Sequence, residues 1–386
     1  MSLFFIAGIG VAVLIEFLLL TKKQQSVSDR ILTAWMFLII VHLFLFNLFF
    51  TGDVYDAPFL LGFEHPLPLL QGVFLFYYVS FVTGQLPENR KLLLLHLLPA
   101  ALMYGYLLAV FILPLSAEQK IAVYRSGGAE YEVFNLVKLF AVTISGVIYV
   151  VASAILLRRH RRAIRDRFSD LDRISLRWLE ILTYGIGGIW LLLLLFRTEP
   201  LTFSGVVIFV FLIGFFGVRQ GNIFAHTGTQ TVPEASDEEA DAPQTGTPDA
   251  LPDAAEQRKK YTKSGLSEEA AAELHATLIA RMAGDELYRQ SDLSIQDLAS
   301  LLDVPPNHLS QVINQREQKN FYDFVNSYRI QAFKRQIEER KNRQFTLLSI
   351  AYDCGFSSKS SCNRCFKNET GQTPSQFVAS LSRDQD

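Results

Sequence analysis

The sequence is poor in cysteine and lacks the motifs of the common enzyme classes. Its three cysteines, Cys354, Cys362 and Cys365, lie close together near the C-terminus, which argues against a disulfide framework and for a reducing compartment. Cys362 and Cys365 form a CxxC pattern, but no further ligands stand at a spacing that suits zinc. We therefore expect buried small side chains, and neither a metal nor another cofactor. No nucleophile elbow, phosphate loop, HExxH motif or paired acidic motif is present, so we do not expect an enzyme.

Basic residues are absent from one segment and abundant in another, which the total charge conceals. The chain has 36 Lys and Arg against 38 Asp and Glu. Residues 226–256 contain eight acidic residues and no basic one, whereas the segment from Arg316 to Lys367 contains eleven basic and five acidic residues. The acidic segment has too few large apolar residues to fold, and it is predicted to belong to a flexible linker over residues 221–260.

Long hydrophobic runs dominate the first half of the chain. A membrane-spanning helix needs about 20 mostly apolar residues, and seven stretches qualify, of which the third is the shortest. The first has no basic start and no convincing cleavage site, so it is interpreted as a retained span rather than a signal peptide. The stretches are Ser2–Leu20, Ile31–Phe50, Leu67–Thr83, Leu92–Leu113, Val133–Leu157, Trp178–Phe196 and Leu201–Val218.

The charges of the loops between these spans predict the orientation. Loops one, three and five carry thirteen Lys and Arg residues, eight of them between Arg158 and Arg177, whereas the alternate loops carry three. The positive-inside rule then places the N-terminus outside and the C-terminus in the cytoplasm of a bacterial inner membrane. The Arg-rich fifth loop is interpreted as this topology determinant, with nonspecific DNA contact as the alternative.

Five polar residues within the spans allow more than one interpretation, because such residues are costly in lipid and often functional. Glu16 and Lys138 lie near span ends, where their charged groups can snorkel to the interface. His42, Asn47 and His96 are candidates for interhelical hydrogen bonds, or for the lining of a ligand pocket or proton-sensing site. A transporter or channel with a DNA-binding regulatory domain is the alternative function. It has less support, because the sequence shows no ion-filter loop and no pair of broken helices.

The outer loops are too short for a folded sensor domain. Any stimulus must therefore act on these loops or within the helix bundle, and the sensed ligand is unknown. The loop residues available for sensing are Asp53, Tyr55, Asp56, Glu64 and His65 in loop two, and Tyr124, Arg125, Glu130, Tyr131 and Glu132 in loop four.

A first helix-turn-helix pattern lies near residues 294–314, after a predicted lead-in helix over Ser267–Met282. Ser294 can cap a short helix, and a turn at Asp303–Val304 leads to Pro305–Pro306, which suits the first turn of a second helix. The predicted apolar faces comprise Ile295, Leu298, Leu302, Leu309, Val312 and Ile313. The face left for base edges comprises Asn307, His308, Ser310, Gln311 and Asn314.

A second pattern near residues 346–368 repeats this plan after a connecting helix predicted over Asn320–Arg340. Gly355 supplies the turn, Ser358 can cap the second recognition helix, and Gly371 marks its end. The residues predicted to face the core are Leu347, Leu348, Ile350, Ala351, Cys362 and Phe366. The predicted outer surface comprises Lys359, Ser360, Ser361, Asn363, Arg364 and Lys367.

These motifs resemble the signature of the AraC family of bacterial transcription regulators. The similar runs are Ile350–Ser360, Asn363–Lys367 and Gly371–Phe377, with Leu298–Ala299 and His308–Ser310 in the first motif. The resemblance covers about residues 265–382 and does not extend to the spans. It implies two recognition helices in successive major-groove segments on one face of DNA. It also implies control of promoter activity, commonly activation, which makes RNA polymerase a candidate partner.

Two residues depart from the family pattern. Asp303 stands where the family usually has Gly, and Cys362 stands where it usually has a bulky apolar residue. Asp can adopt the left-handed conformation that such a turn needs. The smaller Cys362 can loosen the core by about 1–3 kcal/mol if nothing refills the space.

Carried over by position, the resemblance implies which side chains meet DNA. Asn307 and Gln311 are expected to read bases from the first recognition helix. Lys359, Ser360 and Arg364 are expected to do so from the second. The remaining predicted DNA-binding residues are His308 and Asn314, with Lys319, Asn320 and Lys367 as phosphate anchors.

The sequence thus predicts an all-α protein with three parts. Residues 1–220 form a seven-helix transmembrane bundle, residues 221–260 the acidic linker, and residues 261–386 a cytoplasmic domain with two helix-turn-helix motifs. The expected function is a membrane-anchored regulator that binds double-stranded promoter DNA under the control of a membrane signal. A homodimer is expected, because linking two DNA-binding domains raises their effective concentration at a paired site.

Overall fold

The computed structural model describes residues 2–87, 89–171, 176–196, 198–219, 266–339 and 346–383. Within these ranges the chain is helical, and the one strand-like feature is an isolated antiparallel bridge between Phe168 and Ser294. The linker predicted over 221–260 lies outside the described residues. The chain divides into two compact units, residues 1–159 with 176–237, and residues 160–175 with 238–386.

The first unit is a set of apolar helices. Helix α1 packs against α2 and α8, α2 against α3, and α7 against α8. Trp35 and Leu179 lie in its core. The helices are α1 (Ser2–Leu20), α2 (Val27–Thr51), α3 (Leu67–Val82), α4 (Leu98–Leu107), α5 (Ala117–Arg125), α6 (Glu132–Arg165), α7 (Arg177–Phe196) and α8 (Glu199–Arg219).

Six stretches among the described residues are long and apolar enough to cross a membrane, and α3 is a shorter apolar helix. Many of their large apolar side chains lie at the surface, with Leu3 82% and Val133 77% exposed. Such a surface is unfavourable in water and suits contact with lipid. The long stretches are Leu3–Leu20, Val27–Thr51, Lys91–Ile112, Ala129–Arg165, Arg177–Phe196 and Glu199–Gly217.

Two stretches differ in detail from the prediction. The fourth, expected as one helix over Leu92–Leu113, is a 3-10 helix over Arg90–Leu97 followed by α4 and a π turn over Leu108–Ile112. Pro99 accounts for the change at Leu98, because proline lacks an N–H and fits an α-helix only in its first turn. Helix α6 continues beyond the predicted end at Leu157 and stops at Arg165.

The second unit contains both helix-turn-helix motifs. Its helices lie within a few residues of the predicted bounds, so the predicted elements are confirmed. They are α9 (Glu268–Gly284), α10 (Ile295–Leu301), α11 (Pro306–Val312), α12 (Phe321–Glu339), α13 (Leu347–Asp353), α14 (Lys359–Thr370) and α15 (Pro374–Arg383).

Helix α12 is the centre of this unit, since it contacts both α13 and α14. Phe321, Phe324, Val325 and Phe333 are buried, and burying each such side chain contributes about 1.5–3 kcal/mol. Tyr328 is only partly buried. The core therefore fixes the helices that carry the two recognition segments to one common scaffold.

Candidate nucleic-acid interface

The first helix-turn-helix is formed by α10 and α11. The Ser294 hydroxyl accepts from the Asp297 N–H at 3.2 Å, and the Asp297 carboxylate accepts from the Ser294 N–H at 3.0 Å. This reciprocal pair satisfies donors that the start of α10 would otherwise leave free. In the turn Asp303 has φ 54°, which confirms the left-handed conformation expected of it. Helix α11 begins at Pro306.

The outward face of α11 is smaller than predicted. Asn307 is exposed, and His308 and Ser310 are partly exposed. The prediction for Gln311 is wrong, because its side chain is buried and only 6% exposed. Helix α11 contacts both α9 and α10, so a second side of this short helix is covered. The Asn314 amide donates to the Ser310 carbonyl at 2.9 Å and is thus already used within the helix.

The second helix-turn-helix is formed by α13 and α14 around Gly355. This glycine has φ 90°, and a Cβ placed there would lie 2.5 Å from the Tyr288 carbonyl oxygen. Only glycine fits such a turn without strain. The Ser358 hydroxyl accepts from the Ser361 N–H at 3.1 Å and caps α14. Gly371, with φ 78°, ends the helix in the left-handed conformation.

Helix α14 presents most of the residues predicted to read DNA. Lys359, Ser360, Asn363 and Lys367 are exposed. Arg364 is partly exposed, and one of its guanidinium nitrogens donates to the Tyr322 hydroxyl at 3.3 Å. This hydrogen bond holds the guanidinium of Arg364 close to α12 and limits the positions that the side chain can take. Helix α14 therefore offers cations and small hydroxyls on one face.

Two predictions for the second motif are wrong. Ser361 was expected on the outer surface, but it is 3% exposed, because α14 contacts both α12 and α13 and buries that side. Leu348 was expected in the core, but it is 37% exposed. Cys362 and Phe366 are buried as predicted.

The three predicted phosphate anchors are not equivalent. Lys367 is exposed, and Lys319 is partly exposed. The Asn320 side chain accepts from the Asp323 N–H at 2.8 Å and donates to the Asp323 carboxylate at 2.7 Å. Asn320 therefore caps the start of α12, and its role as a phosphate anchor is not supported.

The cysteines lie in the core beside Tyr322. Cys354, Cys362 and Cys365 are all free and buried, as predicted. The Cys365 sulfur lies 3.0 Å from the Tyr322 hydroxyl oxygen. Burial raises the pKa of Cys362 to about 12, so this thiol stays protonated at neutral pH and is a poor nucleophile. Among the described residues no His, Cys, Asp and Glu side chains group as metal ligands would.

The second unit includes a segment that the sequence reasoning missed. Residues 167–169 pair with residues 293–295 at the start of α10. The Ile295 N–H donates to the Arg167 carbonyl at 2.9 Å, and the Ser169 N–H donates to the Leu293 carbonyl at 3.2 Å. Nearby, Arg165 forms an ion pair with Asp323 at 3.0 Å. The Arg-rich loop was interpreted only as a topology determinant or a nonspecific DNA contact, and neither idea foresaw this packing.

Arg329 anchors the same segment from inside the unit. Arg329 is buried, with only 1% of the residue exposed. It donates to the Tyr288 carbonyl at 2.8 Å, to the Gln290 carbonyl at 2.6 Å and to the Ser169 hydroxyl at 3.0 Å. Burial lowers the pKa of Arg329 to about 10, so it remains charged at neutral pH. A clue existed in the sequence, because Arg329 stands four residues from both Val325 and Phe333 on an apolar stripe.

The comparisons with known proteins concern this unit. Residues 298–380 match a family described as a helix-turn-helix domain. Uncharacterized HTH-type transcriptional regulators of Staphylococcus aureus strains COL and MSSA476 are each 34% identical over 92 residues. That match covers 24% of this chain and only 12% of each relative. No solved structure matches. Residues 298–380 are therefore similar to known helix-turn-helix domains, and in this chain they follow a region of apolar helices.

Proposed function

We propose that this protein is a membrane-anchored, one-component transcription regulator. Its first unit spans a bacterial inner membrane seven times, with the N-terminus outside and the C-terminus in the cytoplasm. Its second unit binds promoter DNA in a sequence-specific way as part of a homodimer. A signal received by the membrane unit controls that binding, and contact with RNA polymerase converts it into a change of transcription.

The observation that carries the proposal is the pairing of two surfaces in one chain. Helix α14 presents Lys359, Ser360 and Lys367 to solvent beside Arg364, a set that can reach base edges and phosphates. The described residues of the same chain include six stretches that are long and apolar enough to cross a membrane. The relatives named as transcriptional regulators support the first half. The loop charges support the orientation.

DNA reading is tested by chromatin pull-down and sequencing with the full chain and with Arg364→Ala. We expect enrichment at a small set of promoters, and loss of that enrichment in the variant at equal protein abundance. Lys334→Ala is a matched control, because Lys334 lies over the Phe366 and Phe377 rings within the unit. Equal enrichment by the full chain and by Arg364→Ala contradicts sequence-specific reading by α14.

Orientation is tested with reporter fusions that are active on one side of the membrane only. A fluorescent protein fused after Asp386 should fluoresce, because it lies in the cytoplasm. Alkaline phosphatase inserted after Gly127 in loop four should be active, because it lies outside. Active phosphatase after Asp386 contradicts the proposal, because the DNA-binding unit would then be separated from the chromosome.

A further inference from the structure

The first unit contains a cavity of about 570 Å³, which is within the usual size range of small-molecule sites. Its lining comes from the ends of spans that the loop charges place on the outer side. Much of the lining is aromatic, including Phe46, Phe49, Trp190 and Phe203. His42 also lines it, with its ring edge-on to Phe203 at 4.9 Å. Much of the cavity wall is therefore apolar and aromatic.

A polar cluster lines the same cavity. It consists of Glu64, His65, Tyr124 and Lys138, three of which come from the outer loops that the sequence left as places for sensing. The Tyr124 hydroxyl donates to one oxygen of Glu64, and the Gly62 N–H donates to the other at 3.1 Å. Both Glu64 oxygens are therefore already occupied by donors of the protein.

Lys138 is the charged group in this cluster that forms no close ion pair, although the carboxylates of Glu64 and Glu199 attract it from further away. Its Nζ lies 3.4 Å from His65 Nδ1 and 5.8 Å from the centre of the Phe134 ring. Burial, and then the charge of Lys138, lowers the pKa of His65 to about 3, so the imidazole is neutral at neutral pH. Within the described residues no carboxylate oxygen lies within 4.0 Å of the ammonium.

Glu199, the second carboxylate that lines the cavity, also lies beyond ion-pair distance of Lys138 and attracts it only from further away. Glu199 is exposed at the start of α8, where water screens its charge. The partly buried ammonium of Lys138 is in a less polar environment, where an anionic partner gains more from the interaction. The ammonium of Lys138 also lies over the Phe134 ring, and the prediction that it snorkels to the interface stays a prediction.

We propose that this cavity binds a small apolar carboxylic acid, with the carboxylate at Lys138 and the apolar body among the aromatic side chains. The inference rests on the proposed function, since it names the class of signal that the membrane unit receives. An amide or alcohol of the same shape would leave the ammonium unpaired, and an amine would repel it.

The test measures the affinity of labelled phenylacetate and hexanoate for the full chain in nanodiscs by equilibrium dialysis. Empty nanodiscs correct for partition into lipid. At least one acid should bind saturably, and the matching amide should bind at least about tenfold more weakly, which corresponds to about 1.4 kcal/mol. Lys138→Gln should lower the affinity for the acid to that for the amide. Lys138→Arg should retain most of it. Lys120→Gln is the control, because Lys120 belongs to the outer loop but does not line the cavity.

Three results would overturn the inference: no saturable binding of either acid, equal binding of acid and amide, or unchanged binding of the acid by Lys138→Gln. DNA binding is measured on the same preparations by fluorescence anisotropy. Intact DNA binding without acid binding removes the cavity proposal and leaves the regulator. Acid binding without DNA binding removes the proposed regulator and leaves the cavity proposal.

A second inference comes from the independent set of contacts made by Arg165, Arg167 and Ser169. We infer that residues 165–170 are an integral part of the DNA-binding unit, although they follow α6 and lie far from that unit in the sequence. Ser169 supplies its N–H, hydroxyl and carbonyl to the unit, and the carbonyl accepts from both Arg329 at 3.2 Å and Asn326 at 3.1 Å. Without this segment, the buried side chains of Arg329 and Asn326 each lose an acceptor that Ser169 supplies, which is costly.

Helix α6 runs unbroken from Glu132 to Arg165 and leads directly into this segment. The test is amide hydrogen exchange of residues 291–298 in the full chain carrying Arg165→Ala with Ser169→Ala. Exchange should rise at least about tenfold, as local opening becomes easier. Arg162→Ala in the last turn of α6, where the side chain is exposed, should change nothing. Unchanged exchange in the double variant, or an equal rise in the control, contradicts the inference.

Discussion

The two helix-turn-helix motifs have the same plan but different surfaces. Helix α11 is seven residues long, with Asn307 as its exposed side chain. Helix α14 is twelve residues long and exposes Lys359, Ser360 and Lys367. Cations contribute both to base reading and to neutralising phosphates, whereas an amide can hydrogen-bond to DNA but carries no charge that neutralises a phosphate. The difference suggests that α14 supplies most of the affinity and α11 refines the choice of sequence.

The largest effect is expected from Arg364→Ala. A good bidentate contact to guanine contributes about 1–3 kcal/mol of discrimination, so specific affinity should fall by roughly tenfold or more. Arg364→Lys keeps the charge but loses the planar pair of donors, so it should restore nonspecific affinity without restoring specificity. Fluorescence anisotropy on operator and scrambled duplexes gives both quantities. Full specificity in Arg364→Lys would show that the guanidinium does not read a base.

A similar but smaller effect is expected from Asn307→Ala, because one amide pairs with one adenine and adds no charge. Preference between operator variants should weaken at one base pair, while affinity for scrambled DNA stays the same. Systematic single-base operator variants identify that position. If scrambled DNA is also bound more weakly, Asn307 acts on the backbone or on folding instead.

A change of a different kind is expected from Lys367→Ala. A phosphate contact carries no sequence information, so affinity should weaken about equally for all duplexes. The slope of log K against log salt concentration should fall by about 1. Binding titrations at several salt concentrations measure the slope. An unchanged slope would mean that Lys367 does not reach a phosphate.

The smallest effect is expected from Gln311→Ala. Its side chain is buried, and its Oε1 has no hydrogen-bond partner among the described residues. Affinity for the operator should stay within about twofold of the unchanged chain, well below 1.4 kcal/mol. The comparison with Asn307→Ala is matched, because both remove an amide from the same short helix. A larger loss in Gln311→Ala than in Asn307→Ala would reverse the assignment of the two faces.

The sequence predicted most of the helices and turns because these depend on local chemistry. Ser294 and Ser358 cap helices, and Asp303 and Gly355 adopt left-handed conformations in turns. Each of these features depends on residues that are close in the sequence. Gln311 and Ser361 were wrong because helical periodicity shows one apolar face and cannot show that a second helix covers another side. The spans were recognised by length and apolar content alone.

Contacts between distant parts of the sequence were beyond prediction. Ser169 and Arg329 are 160 positions apart, and nothing in the composition of the Arg-rich loop indicates that it packs on α12. The cavity is a similar case, because Glu64, Tyr124 and Lys138 come from separate segments. Each was noticed as a polar residue in or beside the spans, but their grouping depends on the packing of the bundle.

Missing-base interference, which probes contacts to all four bases, tests the central claim most directly when it is done with the full chain in nanodiscs. The account predicts two clusters of contacts on one face of the duplex, about 10 base pairs apart. Arg364→Ala should abolish contacts in one cluster, and Asn307→Ala should weaken only the other. A single cluster that disappears in both variants, or contacts on opposite faces of the duplex, would contradict two recognition helices reading adjacent grooves.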